Sequence, residues 1–189
     1  MSDKRTDILQ AAMELIAERG FHGAPMAEIA EKAGVAAGTI YRYFEHKEEL
    51  ITELHRELEE EIAASLRKNY PVDRPLRERF LYLIRGLLRY FIGHPLHFRY
   101  MEQYVNSPYG ISQHRDRLLG KGNNLDMIMD IFELGVDQQV VKAMPKAVLF
   151  SLAFGPLIPL MRDHIRGFVV LDAPLIDQIT EACWDAIKR

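Results

Sequence analysis

Apolar residues recur every three or four positions along most of the chain, a spacing typical of amphipathic helices. Glycine and proline interrupt this pattern at intervals, so it predicts an all-α chain of about nine helices. Two short helices are predicted within residues 26–44, and the others cover residues 6–19, 47–68, 76–92, part of 94–110, 112–134, 145–166 and 173–188. Glycines at 120 and 122 predict a kink in the seventh helix, and Gly155 with Pro156 predicts one in the eighth.

The stretch at residues 26–47, MAEIAEKAGVAAGTIYRYFEHK, organises our interpretation of the chain. It predicts two short helices joined by a tight turn, where Gly34 supplies the permissive backbone. In the second helix, predicted at residues 36–44, the helical period places Ala37, Ile40 and Phe44 on the inward face. Two helices joined in this way form a helix-turn-helix, whose second helix can enter the major groove of duplex DNA.

The side chains predicted to face outward suit contact with DNA. Glycine allows a close backbone approach, hydroxyl groups can bond phosphate oxygens, and arginine can contact phosphate or a base edge. Lys47 begins the next predicted helix, where its charge and the helix N-terminus both attract phosphate. The predicted DNA-binding residues are Ala37, Gly38, Thr39, Tyr41, Arg42, Tyr43 and Lys47. The alternative is an ordinary helical hairpin with solvated tyrosines and an arginine.

Four segments at matching spacing resemble the N-terminal domain of the tetracycline-repressor (TetR) family of transcriptional regulators: AMELIAERGF at 12–21, IAEKAGV at 29–35, GTIYRYF at 38–44 and KEEL at 47–50. The resemblance implies an all-α homodimer that binds double-stranded operator DNA and is released by a small molecule in its C-terminal domain. It also implies phosphate contacts from Thr39, Tyr43 and Lys47. Gly38, Tyr41 and Arg42 would lie near the bases.

The chain departs from this family's pattern at both short helices. Where the family usually has Ser or Thr, often with Lys, at the start of the second helix, this chain has Ala36 and Ala37. Where it often has a threonine pair before the first, this chain has Ala24 and Pro25. Side-chain caps and their phosphate contacts are therefore expected to be missing. We expect a smaller set of DNA contacts than is usual for the family.

The charge balance is unusual for a DNA-binding protein. The net charge is −3, and the first fifty residues contain six basic and nine acidic side chains. A nucleic-acid-binding domain is usually basic. We therefore predict a small basic patch around Arg42 and Lys47 on an acidic body, with strongly salt-dependent binding.

The segment at residues 94–110 is rich in aromatic residues with polar tips, and in TetR-like proteins it would form a wall of the ligand cavity. The predicted pocket residues are Phe80, Ile84, His97, Phe98, Tyr100, Met101, Tyr104, Met127, Phe132 and Phe154. The alternative is that they are plain core. His94 and His97 also raise a weaker hypothesis of a metal site completed by Glu102, His114 or His164, because histidines one turn apart can share a helix face.

The last two predicted helices carry so much apolar surface that they either wrap a monomer core or pair across a two-fold axis. The resemblance implies pairing, as a four-helix interface. The predicted interface residues are Phe150, Phe154, Leu157, Ile158, Ile176, Ile179, Cys183 and Trp184. We expect Cys183 and Trp184 to be structural.

Other sequence features narrow the class of protein. A single cysteine rules out an internal disulfide and fits a reducing cytoplasm. The N-terminus lacks a signal-peptide pattern, and the longest apolar run, at 147–161, is too short to span a bilayer. Because no cofactor loop or catalytic constellation is evident, we expect neither a cofactor nor enzymatic activity.

These observations predict a cytoplasmic, ligand-responsive DNA-binding regulator, with repression released by a small, largely apolar effector. Residues 1–48 would bind DNA, with the helix-turn-helix at about 25–44, and residues 49–189 would bind ligand and dimerise. The proline-containing break at 69–75 is also a predicted domain boundary. The alternative is a helical dimeric sensor or adaptor that has lost DNA binding.

Overall fold

The computed structural model describes residues 3–118 and 126–189, without the side chains of residues 114–118 and 126. The regular elements in these ranges are helices, and the all-α prediction is confirmed. They are α1 (Lys4–Arg19), α2 (Met26–Lys32), α3 (Ala37–Ile40), α4 (Lys47–Arg67), α5 (Leu76–Gly93), α6 (Pro95–Val105), α7 (Pro108–Leu118), α8 (Asp126–Asp137), α9 (Lys146–Phe154), α10 (Leu157–Ile165) and α11 (Ala173–Ile187).

One predicted helix is divided in the structure, and another corresponds to two described helices. The helix predicted at 145–166 is α9 followed by α10, and the break falls at Gly155 and Pro156, where proline has no N–H to donate. The helix predicted at 112–134 corresponds to α7, which begins earlier at Pro108, and α8. The predicted kink at Gly120, Gly122, Asn123 and Asn124 lies outside the described residues.

The chain packs as two compact units. The first contains Met1–Glu60 and Pro95–His114, and the second contains Glu61–His94 and Arg115–Arg189. This division of the packing differs from the predicted boundary at residues 69–75, which lie inside the second unit. The reason is that the loop is tied to α5: Arg79 donates to the Tyr70 hydroxyl at 3.0 Å. The functional boundary after residue 48 stays a prediction.

In the first unit, α1 packs against α2 and α6, and the predicted apolar stripe of α1 is buried. Asp3 caps the helix by accepting from the Arg5 N–H, and Gly20 ends it with a φ of 71°. Gly34, with a φ of 67°, forms the turn between α2 and α3 as predicted. The turn at Gly34 sets the direction in which α3 follows α2.

Helix α4 buries Leu50, Leu54, Leu58 and Ile62, as its period predicts. Acidic residues crowd another side of α4 at 57–61, a charge run that predicts a solvated face, and for Glu59 this prediction is wrong. Its side chain is only 10% exposed and lies 3.3 Å from His55 Nε2. The expectation failed because it counted charges along the sequence and did not consider a polar partner on the buried side of the helix.

The second unit is built around α5, which packs against α8, α10 and α11, while α11 also packs against α9. Phe80 of α5 and Trp184 of α11 form a tilted aromatic pair with ring centroids 5.4 Å apart. The chain end is fastened by a bridge between Val141 and Lys188. Burial raises the pKa of the Cys183 thiol to about 11, so the thiol stays protonated at neutral pH.

Candidate nucleic-acid interface

The second helix of the helix-turn-helix is shorter than predicted. Regular helix covers only Ala37–Ile40 of the predicted residues 36–44. Residues 41–43 form a turn in which Arg42 N–H donates to Thr39 O and Tyr43 N–H to Ile40 O, both at 3.1 Å. The N-cap, Ala36, makes no side-chain hydrogen bond, so the helix lacks the cap that would stabilise its first turn. We call residues 37–47 the reading segment.

The inward side of the reading segment is formed by Ile40 and Phe44, which are both buried. Ala37, which the helical period also placed inward, is exposed. That inward placement is wrong, because Ala37 is the first residue of a four-residue helix in which only Ile40 is buried. Gly38 is exposed as well, and a Cβ built there would meet no atom within 4 Å. The backbone at this position is therefore open to approach from outside.

The outward side carries the aromatic and basic groups that were predicted to contact DNA. Tyr41 is 56% exposed and Tyr43 is 39% exposed. Arg42 lies between them and is exposed, and its guanidinium has no hydrogen-bond or ion-pair partner among the described residues. Thr39 is partly exposed. Three hydroxyls and one unpaired guanidinium therefore share one small surface.

Lys47 is held at the base of this surface. Its Nζ donates to the backbone oxygen of Phe21, and burial lowers the pKa of its amine. An ammonium group has three donors, so the bond to Phe21 leaves two for a phosphate oxygen. The structure thus gives Lys47 an anchoring role that the sequence analysis missed, beside the predicted phosphate contact.

Most of the basic side chains in the first unit are already paired. Arg19 binds Glu28 at 2.8 Å and Lys32 binds Glu14 at 2.9 Å. The Glu14 carboxylate accepts a hydrogen bond from Lys32, which lowers its pKa. Of the six basic residues among the first fifty, Lys4, Arg42 and Lys47 have no side-chain partner among the described residues, and Lys47 bonds to the backbone oxygen of Phe21. Pairing confines the free positive charge, so the overall acidity does not exclude a basic patch.

Arg5 connects the reading segment to α4. Its guanidinium carbon lies 5.6 Å from the centroid of the Phe44 ring. The same group binds Glu53 at 3.0 Å and also Glu57. Arg5 thus covers the aromatic residue that ends the reading segment and is neutralised by carboxylates of α4.

Comparison with known protein families matches both ends of the chain. The sequence model described as bacterial regulatory proteins of the tetR family matches residues 8–54. The model described as the tetracyclin repressor-like C-terminal domain matches residues 75–188, which is more than half of the chain. The chain belongs to the TetR family of transcriptional regulators. The predicted helix-turn-helix and C-terminal helical domain are therefore those of this family.

Individual TetR relatives agree over the whole length. The solved structure of a TetR family protein from Vibrio parahaemolyticus is 34% identical, covers 99% of both chains and has a TM-score of 0.79. An uncharacterised helix-turn-helix regulator of Haemophilus influenzae is 28% identical over all of this chain and 97% of its own.

A third relative is similar over a shorter stretch. The fatty acid metabolism regulator of Bacillus subtilis is 48% identical over 54 residues, which is only 28% of that protein. The Bacillus subtilis FadR structure in complex with stearoyl-CoA has a TM-score of 0.75 at 21% identity, a likeness of fold alone.

The predicted TetR ligand-pocket residues are divided between the two units. Phe80, Ile84, Met127, Phe132 and Phe154 belong to the second unit, whereas His97, Phe98, Tyr100, Met101 and Tyr104 belong to the first. Met127, His97 and Met101 are partly exposed, and the other seven are buried. Their joint role in one ligand pocket stays a prediction.

The α6 residues of this set belong to an aromatic cluster in the first unit. Phe21 packs edge-on against Tyr100 and Tyr104, with ring centroids 6.3 Å apart in both pairs. His55 of α4 stacks on Tyr104 at a centroid distance of 3.5 Å. The sequence analysis missed His55, although its spacing of four residues from both Ile51 and Glu59 on a buried helix face could have revealed it.

The metal hypothesis receives no support from the described side chains, which include no group of three or more His, Cys, Asp or Glu placed to hold an ion. His94 Nδ1 instead lies 2.8 Å from the backbone oxygen of Tyr90. The side chain of His114 is outside the described residues.

An open groove of about 660 Å³ in the second unit is lined by none of the predicted pocket residues. Two arginines on its wall are already paired, Arg77 with Glu181 and Arg85 with Asp177.

The residues predicted at the TetR dimer interface differ in exposure within one subunit. Phe154, Leu157, Ile176, Cys183 and Trp184 are buried, Phe150 and Ile179 are partly exposed, and Ile158 is exposed. Buried side chains cannot add much new contact area, so they are core residues of the subunit whether or not it dimerises. The exposed apolar residues of α9 that the sequence analysis did not select are Val148 and Leu152.

Helices α9 and α10 together form an unusually apolar surface. By length and composition alone, Lys146–Ile165 could cross a membrane, with a mean hydropathy of 1.2, and only 28% of its most apolar window is buried. A helix at a protein interface can meet the same criteria of length and composition. Val148, Leu152 and Ile158 are the exposed large aliphatic residues of this surface. Val148 and Leu152 are one turn apart, which predicts that they share one face of α9.

Proposed function

We propose that this TetR family regulator is a dimeric repressor whose reading segment contacts operator DNA in the major groove. The observation that carries the proposal is Arg42, exposed between Tyr41 and Tyr43 and without a partner among the described side chains. In a dimer, two reading segments would bind a pseudo-palindromic site with half-sites about 34 Å apart or a multiple of that distance. Residues 1–48 would serve DNA binding, and residues 49–189 effector binding and dimerisation.

Within the reading segment, each predicted residue has a separate role. The hydroxyls of Thr39 and Tyr43 and the ammonium of Lys47 would bond phosphates. Arg42 and Tyr41 would lie at base edges, and Gly38 would permit the approach. Ala37, exposed at the start of α3, would contact the DNA without a hydrogen bond.

The test compares two arginines of the same unit. A duplex is first selected from a random pool by the wild-type protein, and its affinity is then measured by fluorescence anisotropy. Arg42→Ala should weaken binding by about 1–3 kcal/mol, because it removes an unpaired guanidinium from the proposed interface. Arg19→Ala, which removes an arginine already paired with Glu28, should change the affinity little.

The competing function is a dimeric adaptor that no longer binds DNA. Two observations favour it: neither α2 nor α3 has a side-chain N-cap, and Lys47 is partly buried by its bond to Phe21. The same selection separates the two functions, because an adaptor would enrich no duplex. Equal losses for Arg42→Ala and Arg19→Ala would also contradict the proposed interface.

We further propose that the effector is small and largely apolar, with one polar group. This fits the mostly aromatic and aliphatic predicted pocket residues, and the Bacillus subtilis relative was solved with stearoyl-CoA. Native mass spectrometry of the purified protein should detect a copurifying apolar molecule, and adding it should release the selected duplex. If neither this molecule nor stearoyl-CoA alters DNA affinity, the proposed effector class is wrong.

A second copy of this chain is our proposed partner for the apolar surface of α9 and α10. The family, the cytoplasmic location expected of a transcriptional regulator and the unburied aliphatic face support a protein partner over a membrane. Leu152→Glu should weaken the dimer on the order of 100-fold, since a two-fold axis places each new charge in the interface twice. Leu134→Glu is the matched control, because Leu134 is 38% exposed and Leu152 is 37% exposed. Sedimentation equilibrium measures both, and a monomeric wild type would contradict the proposal.

A further inference from the structure

His55 is a buried imidazole on α4 for which the proposed DNA contact has no use. The residue is 3% exposed. Its ring lies almost parallel to that of Tyr104 from α6, with centroids 3.5 Å apart and an angle of 5° between the planes. A titratable group held this firmly in an aromatic cluster requires a physical account of its protonation state.

The hydrogen bonds around His55 determine where its proton lies. Nε2 is 3.0 Å from Gln113 Oε1 and 3.3 Å from Glu59 Oε1. Gln113 uses its amide nitrogen to donate to Glu59 Oε2 at 3.1 Å, so the amide oxygen faces His55 as an acceptor. With acceptors on that side, Nε2 must carry the hydrogen. In the neutral ring, Nδ1 is then a bare acceptor.

Nδ1 itself has no partner. Of the buried side-chain nitrogen and oxygen atoms in the described residues, His55 Nδ1 is the one that has no hydrogen-bond partner. Protonation would therefore convert an unpartnered acceptor into an unpartnered buried donor. Such a donor must reach water or another acceptor, which the ring cannot do while it remains stacked on Tyr104.

Among the described side chains, the charged and titratable groups that face the ring come from α4 and α6. Glu59 lies on the same helix, α6 contributes the phenols of Tyr100 and Tyr104, and α7 contributes the uncharged amide of Gln113. Burial, together with Tyr104 and Glu59, raises the pKa of the Tyr100 phenol well above its usual range, so that phenol stays neutral. Glu59 attracts a protonated ring, but it does so at Nε2, which is already bonded. It offers Nδ1–H no acceptor.

A short series of contacts connects this ring to the reading segment within the first unit. Tyr104 and Tyr100 both pack against the Phe21 ring. The backbone oxygen of Phe21 accepts the hydrogen bond from Lys47 at the base of the reading segment. Loss of the His55–Tyr104 stack would loosen the packing that holds Phe21, and with it the anchor of Lys47.

We propose that His55 is a positioning residue for DNA binding, and that its neutral form, fixed by Glu59 and Gln113, maintains the reading segment whereas its protonation releases it. The inference rests on the proposed DNA-binding function. It assigns the protein a proton-sensitive response in addition to any effector. The sign is distinctive, because protonation of exposed histidines would instead strengthen the attraction to phosphate as the pH falls.

The experiment measures affinity for the duplex selected by the wild-type protein between about pH 8 and about pH 5.5 at constant ionic strength. Wild-type affinity should fall towards acid pH, by at most about tenfold per pH unit, because binding would exclude one proton. His55→Phe keeps an aromatic ring and His55→Gln keeps a polar group, and neither titrates in this range. In whichever of these variants folds, the affinity for the duplex should change by less than about twofold between the two ends of this pH range. His22→Gln, at an exposed histidine of the same unit, should retain the wild-type response.

A second readout does not need DNA. Nitrogen-15 spectra of the wild-type imidazole at about pH 8 should show the hydrogen on Nε2 and a bare Nδ1. Affinity that is constant or rises towards acid pH, a decline that persists in the His55 variants, or a hydrogen on Nδ1 would overturn the role of His55. Failure to select any duplex would instead refute the DNA-binding proposal on which it rests.

Discussion

Two pairs of tyrosines in the first unit have the same chemistry and opposite environments. Tyr41 and Tyr43 of the reading segment are exposed, whereas Tyr100 and Tyr104 of α6 are buried. The α6 pair is spaced by one helical turn, so both rings face α1 and α4 and join the cluster with Phe21 and His55. The other pair is two residues apart on a turn that follows a four-residue helix, and no such alignment is possible.

The two segments are also held in place by different forces. Helix α6 is fixed mainly by buried aromatic rings. The reading segment has Ile40 and Phe44 as its buried contacts, and its edges are fastened by Arg5 over Phe44 and by Lys47 to Phe21. Charged and polar fastenings at a surface contribute less than burial does. Substitutions of exposed residues in the reading segment should therefore cost little stability, whereas substitutions of the buried rings of α6 should cost much more.

The largest expected difference between the two pairs is in stability. Tyr100→Ala should lower the free energy of unfolding by about 3–5 kcal/mol, because it empties a fully buried aromatic site. Tyr41→Ala should change it by less than about 0.5 kcal/mol, because that ring is mostly in solvent. Urea denaturation followed by circular dichroism measures both values. Similar losses for the two variants would show that the reading segment is held by burial after all.

The sequence predicted the stability-determining parts of the fold well. The apolar stripes of α1 and α4, the turn at Gly34 and the end of α1 at Gly20 all follow from the helical period and from backbone freedom. It predicted the length of α3 poorly. An apolar period of nine residues does not reveal that the first turn lacks a cap and that the last four residues leave the helix.

The candidate site was predictable only in its exposed half. The period and the family motif both select the outward residues from Gly38 to Tyr43. Neither could reveal that Lys47 bonds to Phe21, that Arg5 covers Phe44, or that His55 stacks on Tyr104, because these contacts join residues 26 to 49 positions apart. The dimer prediction failed to separate core from surface for a similar reason. On helices that are apolar all round, the period does not identify the exposed side.

Gly38 should separate stability from DNA binding within the reading segment. Its φ is not positive and an added Cβ meets no atom within 4 Å, so Gly38→Ala should stabilise the protein by about 0.5–1 kcal/mol. The same methyl group would stand between the backbone and the proposed DNA surface, and affinity for the selected duplex should fall. Gly93→Ala is the matched control, with equally open surroundings at the end of α5 and no expected effect on DNA affinity. Unchanged DNA affinity in Gly38→Ala would argue against close backbone approach.

The smallest effect should come from the ion pair between Glu53 and Arg5, the arginine that lies over Phe44 of the reading segment. Hydrogen bonding to Arg56, together with the charges of Arg56 and Arg5, lowers the pKa of Glu53 below its ordinary value near 4.5. A carboxylate with a depressed pKa stabilises the fold above its unfolded pKa, and that contribution is lost as the pH falls through the folded value. Glu53→Gln should therefore cost about 0.2–1 kcal/mol at neutral pH, and the difference from wild type should vanish as the pH falls below about 4. Thermal unfolding at several pH values measures it, with Glu31→Gln as a control at an exposed glutamate that has no ion-pair partner among the described side chains. A loss that persisted in acid would mean that Glu53 acts through packing, and the contrast between a charge-fastened reading segment and a buried α6 would then be wrong at this position.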